Sequence, residues 1–355
     1  MVPLTSIMED FRIDPPWPAM QSNSGGQRLE HPGHRYQANR AVSTASEFTF
    51  LRFEQGRENS ARVHWAWRFN ARAIDDGKKK RPLTKQAQPD FMCIGAHKSG
   101  TTWLYQQLDS HPDFWMPPVK ELHYFDQLSR VQHPVPPRCR DECDRHFFES
   151  LDSLSAKPYV DLENYGRLFE LKGSLLSGDI SPNYSTLSSK LIRQIVGYFP
   201  NLKVIFLARD PVQRFWSHLS MEVHYRQIEP FDVTNINEVH RNLLRRGMRL
   251  RSYPSSVVAR RKRHVHPDRF HIYFFDDLQR NPTELRRSIL QFLDGDPEKP
   301  SDQLRANYNS WAVMEKLPLT SRVRSHLAHF FKKELKACAA RLGGPAKQWP
   351  ARYGF

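Results

Sequence analysis

The chain has 355 residues, 39% of them hydrophobic, enough to form a substantial core in one large domain or two ordinary ones. Lysine and arginine outnumber aspartate and glutamate by 53 to 38, a net charge of +15, so the folded chain attracts anions such as nucleotides, sulfated sugars, nucleic acid or lipid headgroups. Four cysteines exclude a disulfide scaffold at this length, and the opening MVPLTSIMEDFRIDPPWP lacks the basic start and apolar run of a signal peptide. With no apolar stretch long enough to span a bilayer, these features predict a protein of the reducing cytoplasm.

Residues 1–87 are punctuated by Pro, Gly, Ser, Gln and Arg and show no sustained apolar period, which predicts a disordered or weakly packed extension. Its basic run, Lys78 to Arg81, has no interleaved aromatics and reads as a solvated linker rather than a nuclear-import or nucleic-acid patch. From Asp90 the pattern becomes regular. PDFMCIG reads as a short buried strand, and TTWLYQQLDS as the helix after it, stopped by Pro112. Cys139, Cys143 and His146 form C-x3-C-x2-H, but no second pair of close ligands follows, so a polar helix start with incidental thiols is the better reading. LLSGDIS is a strand, TLSSKLIRQIVGYF an amphipathic helix, KVIFLAR an apolar strand, and DPVQRFWSHLSMEVHY a helix begun by Asp210 and Pro211. RFHIYFF and NPTELRRSILQFL add one more strand and helix, and SRVRSHLAHFFKKELKACAARLG reads as one long C-terminal helix. Successive strand and helix units predict an α/β domain over residues 88–355, a P-loop-type three-layer sandwich with a central parallel sheet flanked by helices.

The stretch GAHKSGTTWLYQQLDSHP, Gly95 to Pro112, departs from the nucleotide-phosphate loop G-x-x-x-x-G-K-[ST] at one place. Gly95 and Gly100 keep the spacing, but Thr101 stands where the lysine belongs, and Lys98 lies inside the loop. A strand feeding such a loop into a helix aims backbone N–H groups and the helix dipole at one point, where an anion belongs. Ser99, Thr101 and Thr102 add hydroxyl donors, and Lys98 adds a full charge. The hexapeptide K-S-G-T-T-W resembles the 5'-phosphosulfate loop of sulfotransferases. That resemblance implies the donor 3'-phosphoadenosine 5'-phosphosulfate, with adenosine 3',5'-bisphosphate as product. Lys98, Ser99, Gly100, Thr101 and Thr102 would hold its 5' end, with lysine, arginine and amides in place of a metal. Trp103 matches a position whose ring stacks on adenine in part of the family; the alternative is a core aromatic on the first helical turn.

Two further motifs extend the resemblance over residues 88–355. In KVIFLARDPVQRFWSHLSM a buried strand delivers Arg209 to its carboxyl edge, with Ser217 two turns into the next helix, similar to the family's 3'-phosphate site. In PPVKELHYFD, Glu121 matches the glutamate of K-E-x-H-[FY]-F, the general base of bacterial and glycan-modifying branches. A carboxylate suits that task because the acceptor must lose its proton as its oxygen attacks sulfur. Lys120 and His123 are secondary candidates; His123, read as part of an apolar strand, ranks below Glu121. Two departures stand out: GDISPNYS has Ile180 after Asp179, where heparan-type enzymes carry a lysine, and GGPAKQWP only loosely matches the family's closing basic loop, which leaves Lys347 without an assigned role.

The resemblance implies sulfuryl transfer to a hydroxyl or amine of a glycan or other small molecule, with no nucleic-acid partner and no oligomeric state specified. A P-loop kinase or NTPase is the rival enzyme, disfavoured by Thr101 in the lysine position and by the lack of an aspartate-ended strand for magnesium. A basic nucleic-acid-binding protein would use RRKRH, Arg260 to His264. It requires a helix-turn-helix or aromatic-stacking surface, which the sequence lacks.

Overall fold

The computed structural model describes residues 73–74, 87–126, 141–157, 159–301 and 316–355. The expected extension over residues 1–87, with Lys78 to Arg81, and the position of Cys139 lie outside these residues except at 73–74 and 87. Two parallel sheets are present among the described residues. The smaller pairs β1 (Ala73–Ile74) with β3 (Tyr159–Val160). The larger has four strands in the order β4 (Gly178–Ile180), β2 (Phe91–Cys93), β5 (Lys203–Ala208) and β6 (Phe270–Phe274), as the strand and helix units predicted.

Alternation along these strands builds a core on each face. Met92, Ile94, Val204, Phe206 and Ala208 enter one cluster, and Phe91, Cys93, Ile205 and Leu207 enter the other. Helices cover both. On the Phe91 face lie α1 (Thr101–Asp109) through Leu104 and Leu108, and α10 (Pro282–Phe292) through Leu285, Ile289 and Leu290. The opposite face takes α4 (Ser189–Tyr198) through Ile192 and Ile195, α5 (Pro211–His224) through Phe215 and Leu219, and α8 (Pro254–Lys262) through Val257 and Val258. Each fully buried apolar side chain of this kind contributes about 1.5 to 3 kcal/mol. The remaining helices are α2 (Glu142–Ser155), α3 (Leu162–Arg167), α6 (Ile236–Leu243), α7 (Arg246–Leu250), α9 (Phe275–Arg280), α11 (Ser321–Phe330) and α12 (Lys332–Leu342). Among the described residues no helix is long and apolar enough to cross a membrane.

Two local expectations are corrected. The single C-terminal helix is two, α11 and α12, divided at Phe331. That ring is buried against Phe215 and Tyr253, and after the break α12 packs on α8, where Glu334 accepts from the Ser255 N–H at 2.8 Å and hydroxyl at 2.8 Å. The segment around His123 is a loop, not a strand, because Glu121 (φ 68°) and His123 (φ 53°) occupy the left-handed region, which a strand excludes. Cys143 sits in the exposed first turn of α2, opened by the Asp141 cap, as a polar helix start requires.

Position in the sheet explains where a ligand belongs. The connection from β2 leads to β4 on one side, and that from β5 leads to β6 on the other. The order therefore reverses between β2 and β5, and in open parallel sheets ligands bind at the carboxyl ends of the strands at such a reversal.

Candidate active site

The loop from Gly95 to Gly100 leaves β2 at that reversal. Its base is stitched to β5: the Ala96 N–H donates to Leu207 O at 2.8 Å, and the Leu207 N–H donates to Gly95 O at 2.7 Å. Gly100 caps α1 with φ 92°, and a Cβ there would lie 2.6 Å from Leu278 Cδ2, so glycine meets both a backbone and a packing demand. No side chain caps α1. Ser99 is fully buried, and its Oγ has no hydrogen-bond partner among the described residues. Thr101 is buried and Thr102 half-buried. Trp103 is 2% exposed within the cluster that holds Leu104, Leu108 and Leu290. The Lys98 ammonium is pulled down to about 8 by burial, then by the neighbouring charges of Arg209, Lys316 and Lys120.

Arg209 stands one strand away, just beyond β5. Its Nη1 donates to the Lys98 carbonyl at 2.5 Å, its guanidinium covers the Phe275 ring at 4.0 Å, and its Nε is buried without a partner among the described residues. Burial lowers it to about 10. Asp210 starts α5 by accepting from the Val212 N–H at 2.9 Å and the Gln213 N–H at 3.4 Å, the cap that its position before Pro211 predicted. Ser217, half-buried on α5, makes no side-chain hydrogen bond among the described residues. The last turns of the chain close over this edge. Tyr353 donates to Asp210 Oδ2 at 2.9 Å, Arg352 pairs with both Asp276 and Asp210, and Trp349 Nε1 donates to Asp276 Oδ2 at 3.3 Å. Lys347 is exposed in the same closing segment.

The third component is the loop carrying Glu121. Its carboxylate pairs with Lys120 and, through Oε2, with His123 Nε2 at 3.1 Å; His123 Nδ1 in turn meets Asp126 Oδ2 at 2.9 Å. Burial by itself raises the Glu121 carboxyl, but Lys120 and His123 hold it well below the usual carboxylate range. Burial likewise opposes charging of His123, yet its bonds to Asp126 and Glu121 carry the imidazole up to about 10. Behind it, the His123 N–H donates to Ser181 Oγ at 3.3 Å, and that hydroxyl donates to Asp179 Oδ1 at 2.6 Å. Asp179 is buried on β4, which pushes it up to about 6, and it also accepts from the Tyr165 hydroxyl at 3.0 Å. His97, inside the loop from Gly95 to Gly100, stacks on His218 at 5.7 Å; burial and Arg251 hold it well below the ordinary imidazole range.

The structure thus brings Lys98 against Arg209 directly, and Glu121 within electrostatic reach of Lys98. Sequence reading missed Asp126, although a carboxylate three residues after His123 was a visible signal. It also missed His218 beside His97 and the Arg352 closure. These depend on partners 121 and 76 or more residues away, for which no local signal exists.

A strand, loop and helix start at a sheet reversal, with a buried arginine just beyond the adjoining strand, is an α/β arrangement that can receive an anion. Residues 89–298 match the model of the Sulfotransferase family, and the chain belongs to that family. It is 24% identical over 233 residues to the protein-tyrosine sulfotransferase of Drosophila melanogaster, an alignment covering 62% of this chain and 40% of that protein. The chain therefore spans well under half the length of this curated relative. Its fold is similar to the crystal structure of a sulfotransferase from Alicyclobacillus acidocaldarius, with TM-score 0.55 and 20% identity, covering 74% of this chain and 98% of that one. A mouse sulfotransferase complexed with PAP matches at TM-score 0.43 and 11% identity over 77% of this chain and 91% of its own.

Proposed function

We propose that the chain transfers a sulfuryl group from 3'-phosphoadenosine 5'-phosphosulfate to a hydroxyl of a carbohydrate or other small acceptor, with Glu121 as general base. The observation that carries this reading is the join between the two anion sites: Arg209 is fixed to the Lys98 carbonyl, while Ser99 Oγ and Arg209 Nε are buried with no protein partner among the described residues. Buried donors left in this state call for a ligand with more than one anionic group. The residues fit a nucleotide carrying both a 5'- and a 3'-phosphate.

When bound, the donor supplies an activated sulfuryl group whose bridging oxygen leaves with the 5'-phosphate. Lys98, Ser99 and the first amides of α1 hold the oxygens on which charge grows, and preorganised donors of this type contribute on the order of 3 kcal/mol each to lowering a barrier. Arg209, with Ser217 on the next helix, takes the 3'-phosphate. Lys120 and His123 keep Glu121 ionised at neutral pH, so the proton-accepting form is the resting one. His123 keeps its own proton between Glu121 and Asp126 and serves to orient the base rather than replace it. Residues 88–355 form the transferase domain on this reading, and deletion of residues 1–85 leaves nucleotide affinity intact because no donor residue lies there.

The test incubates the purified full chain with the sulfate donor and pooled hydroxyl-bearing acceptors, then seeks the mass of one added sulfuryl group. In parallel, adenosine 3',5'-bisphosphate without magnesium raises the melting temperature more than ATP with magnesium does, because a ligand that binds only the folded state stabilises it. A larger shift with ATP and magnesium favours the kinase reading and overturns this one.

A further inference from the structure

Arg209 has two carboxylates for neighbours. Asp210 follows it in sequence, and Asp276 follows Phe275, whose ring the Arg209 guanidinium covers. Either acid, left free, is a natural partner for Arg209 and a competitor for any phosphate. Both are instead engaged elsewhere. Asp210 Oδ1 accepts from the amides of Val212 and Gln213, and its Oδ2 accepts from the Tyr353 hydroxyl, with Arg352 Nη1 at 3.6 Å. Asp276 Oδ1 accepts from Arg352 Nη2, and its Oδ2 accepts from Trp349 Nε1. The Arg352 side chain is 29% exposed.

We propose that Arg352 is a positioning residue for the donor site: it occupies Asp210 and Asp276 so that Arg209 stays available to a 3'-phosphate. The inference rests on the reading of Arg209 given above. Without the Arg352 charge, Asp276 Oδ1 becomes an uncompensated carboxylate beside Arg209. It then either pairs with the guanidinium or repels the incoming phosphate, and both reduce affinity at that end of the nucleotide alone.

The experiment measures, by calorimetry on the full chain, affinity for adenosine 3',5'-bisphosphate and for adenosine 5'-monophosphate; the ratio isolates the 3'-phosphate. Wild type prefers the bisphosphate by at least about tenfold, the worth of one charge-assisted contact. Arg352→Gln lowers that preference by about tenfold, and Arg352→Gln with Asp276→Asn restores it to within about threefold. A purely structural loss of the closing segment is not rescued by the second substitution. A preference unchanged in Arg352→Gln, or a fall that Asp276→Asn fails to rescue, overturns the proposal. If Arg352→Gln does not fold, the double variant Arg352→Gln with Asp276→Asn decides: a preference within about threefold of wild type supports the proposal, and one lowered about tenfold overturns it. A wild-type ratio near one sinks the Arg209 assignment itself, a different failure that leaves its own signature.

Discussion

Glu121→Gln separates catalysis from architecture at one position. Glutamine keeps the size of the side chain and one accepting oxygen, but its amide nitrogen must face one of two donors, Lys120 Nζ or His123 Nε2. One of the two bonds is therefore lost. The Glu121 and Lys120 side chains are only 24% and 17% exposed, so losing one charge-assisted bond costs about 1.5 to 3 kcal/mol, a fall in melting temperature of about 3 to 12 °C for a domain of this size. Turnover falls by about 10² to 10⁴, equivalent to roughly 3 to 5 kcal/mol in the barrier. Affinity for adenosine 3',5'-bisphosphate stays at the wild-type value, since no donor contact is assigned to Glu121. A third readout is the His123 imidazole, at about 10 in the wild type, which drops when one of its two carboxylates is removed. Donor consumption with pooled acceptors, calorimetry, thermal melting and histidine NMR titration cover the four quantities. A rate within a few-fold of wild type refutes Glu121 as the base and moves the search to His123 or Asp179.

Arg209→Ala, which also releases the Lys98 carbonyl, reduces affinity for adenosine 3',5'-bisphosphate at least about tenfold by calorimetry. Because Lys98 titrates near 8, nucleotide affinity is full below that pH and declines as pH rises through about 8; Lys98→Arg shifts the decline to higher pH, and an affinity flat from pH 7 to 9.5 contradicts a charged Lys98 contact. Gly100→Ala forces a side chain into φ 92° against Leu278, costing about 1 to 3 kcal/mol by thermal melting and weakening nucleotide binding with it. The His123 carboxylate bonds contribute stability that is complete below about pH 6.5 and lost as pH rises toward 10. His123→Gln therefore flattens the alkaline fall in unfolding free energy, whose slope from this group is at most about 1.4 kcal/mol per pH unit, as read by melts across that range.

Much of the sheet was legible because its signals are local. β2 and β5 are short apolar runs, and Asp210 before Pro211, Ser188 before α4 and Asn281 before Pro282 announce their helices. The places of Lys98, Ser99, Gly100 and Arg209 in the fold were legible for the same reason: strand end, loop and cap are written within a few residues. The Glu121 segment was not. Its apolar spacing mimics a strand, whereas its backbone turns at two positive φ angles, and the His123 N–H bonds to the distant Ser181. The division of α11 from α12 depends on a pocket for Phe331 built by Phe215 and Tyr253, which no helical periodicity encodes. The closing segment is the extreme case, since Tyr353 and Asp210 are 143 residues apart in the chain.

The bond from Arg209 to the Lys98 carbonyl carries a kinetic corollary. On the proposed reading, it ties the loop that holds the 5'-phosphate to the arginine that holds the 3'-phosphate, a gauge whose span matches the nucleotide from end to end. Donor and spent nucleotide have that span in common and differ only in the sulfuryl group. Contacts that grip both forms equally strengthen capture without accelerating transfer. On the proposed reading, the spent nucleotide competes strongly with fresh donor, and its departure rather than sulfur transfer sets the steady-state pace. Loosening the gauge through Arg209 then trades saturation at low donor concentration for faster recycling.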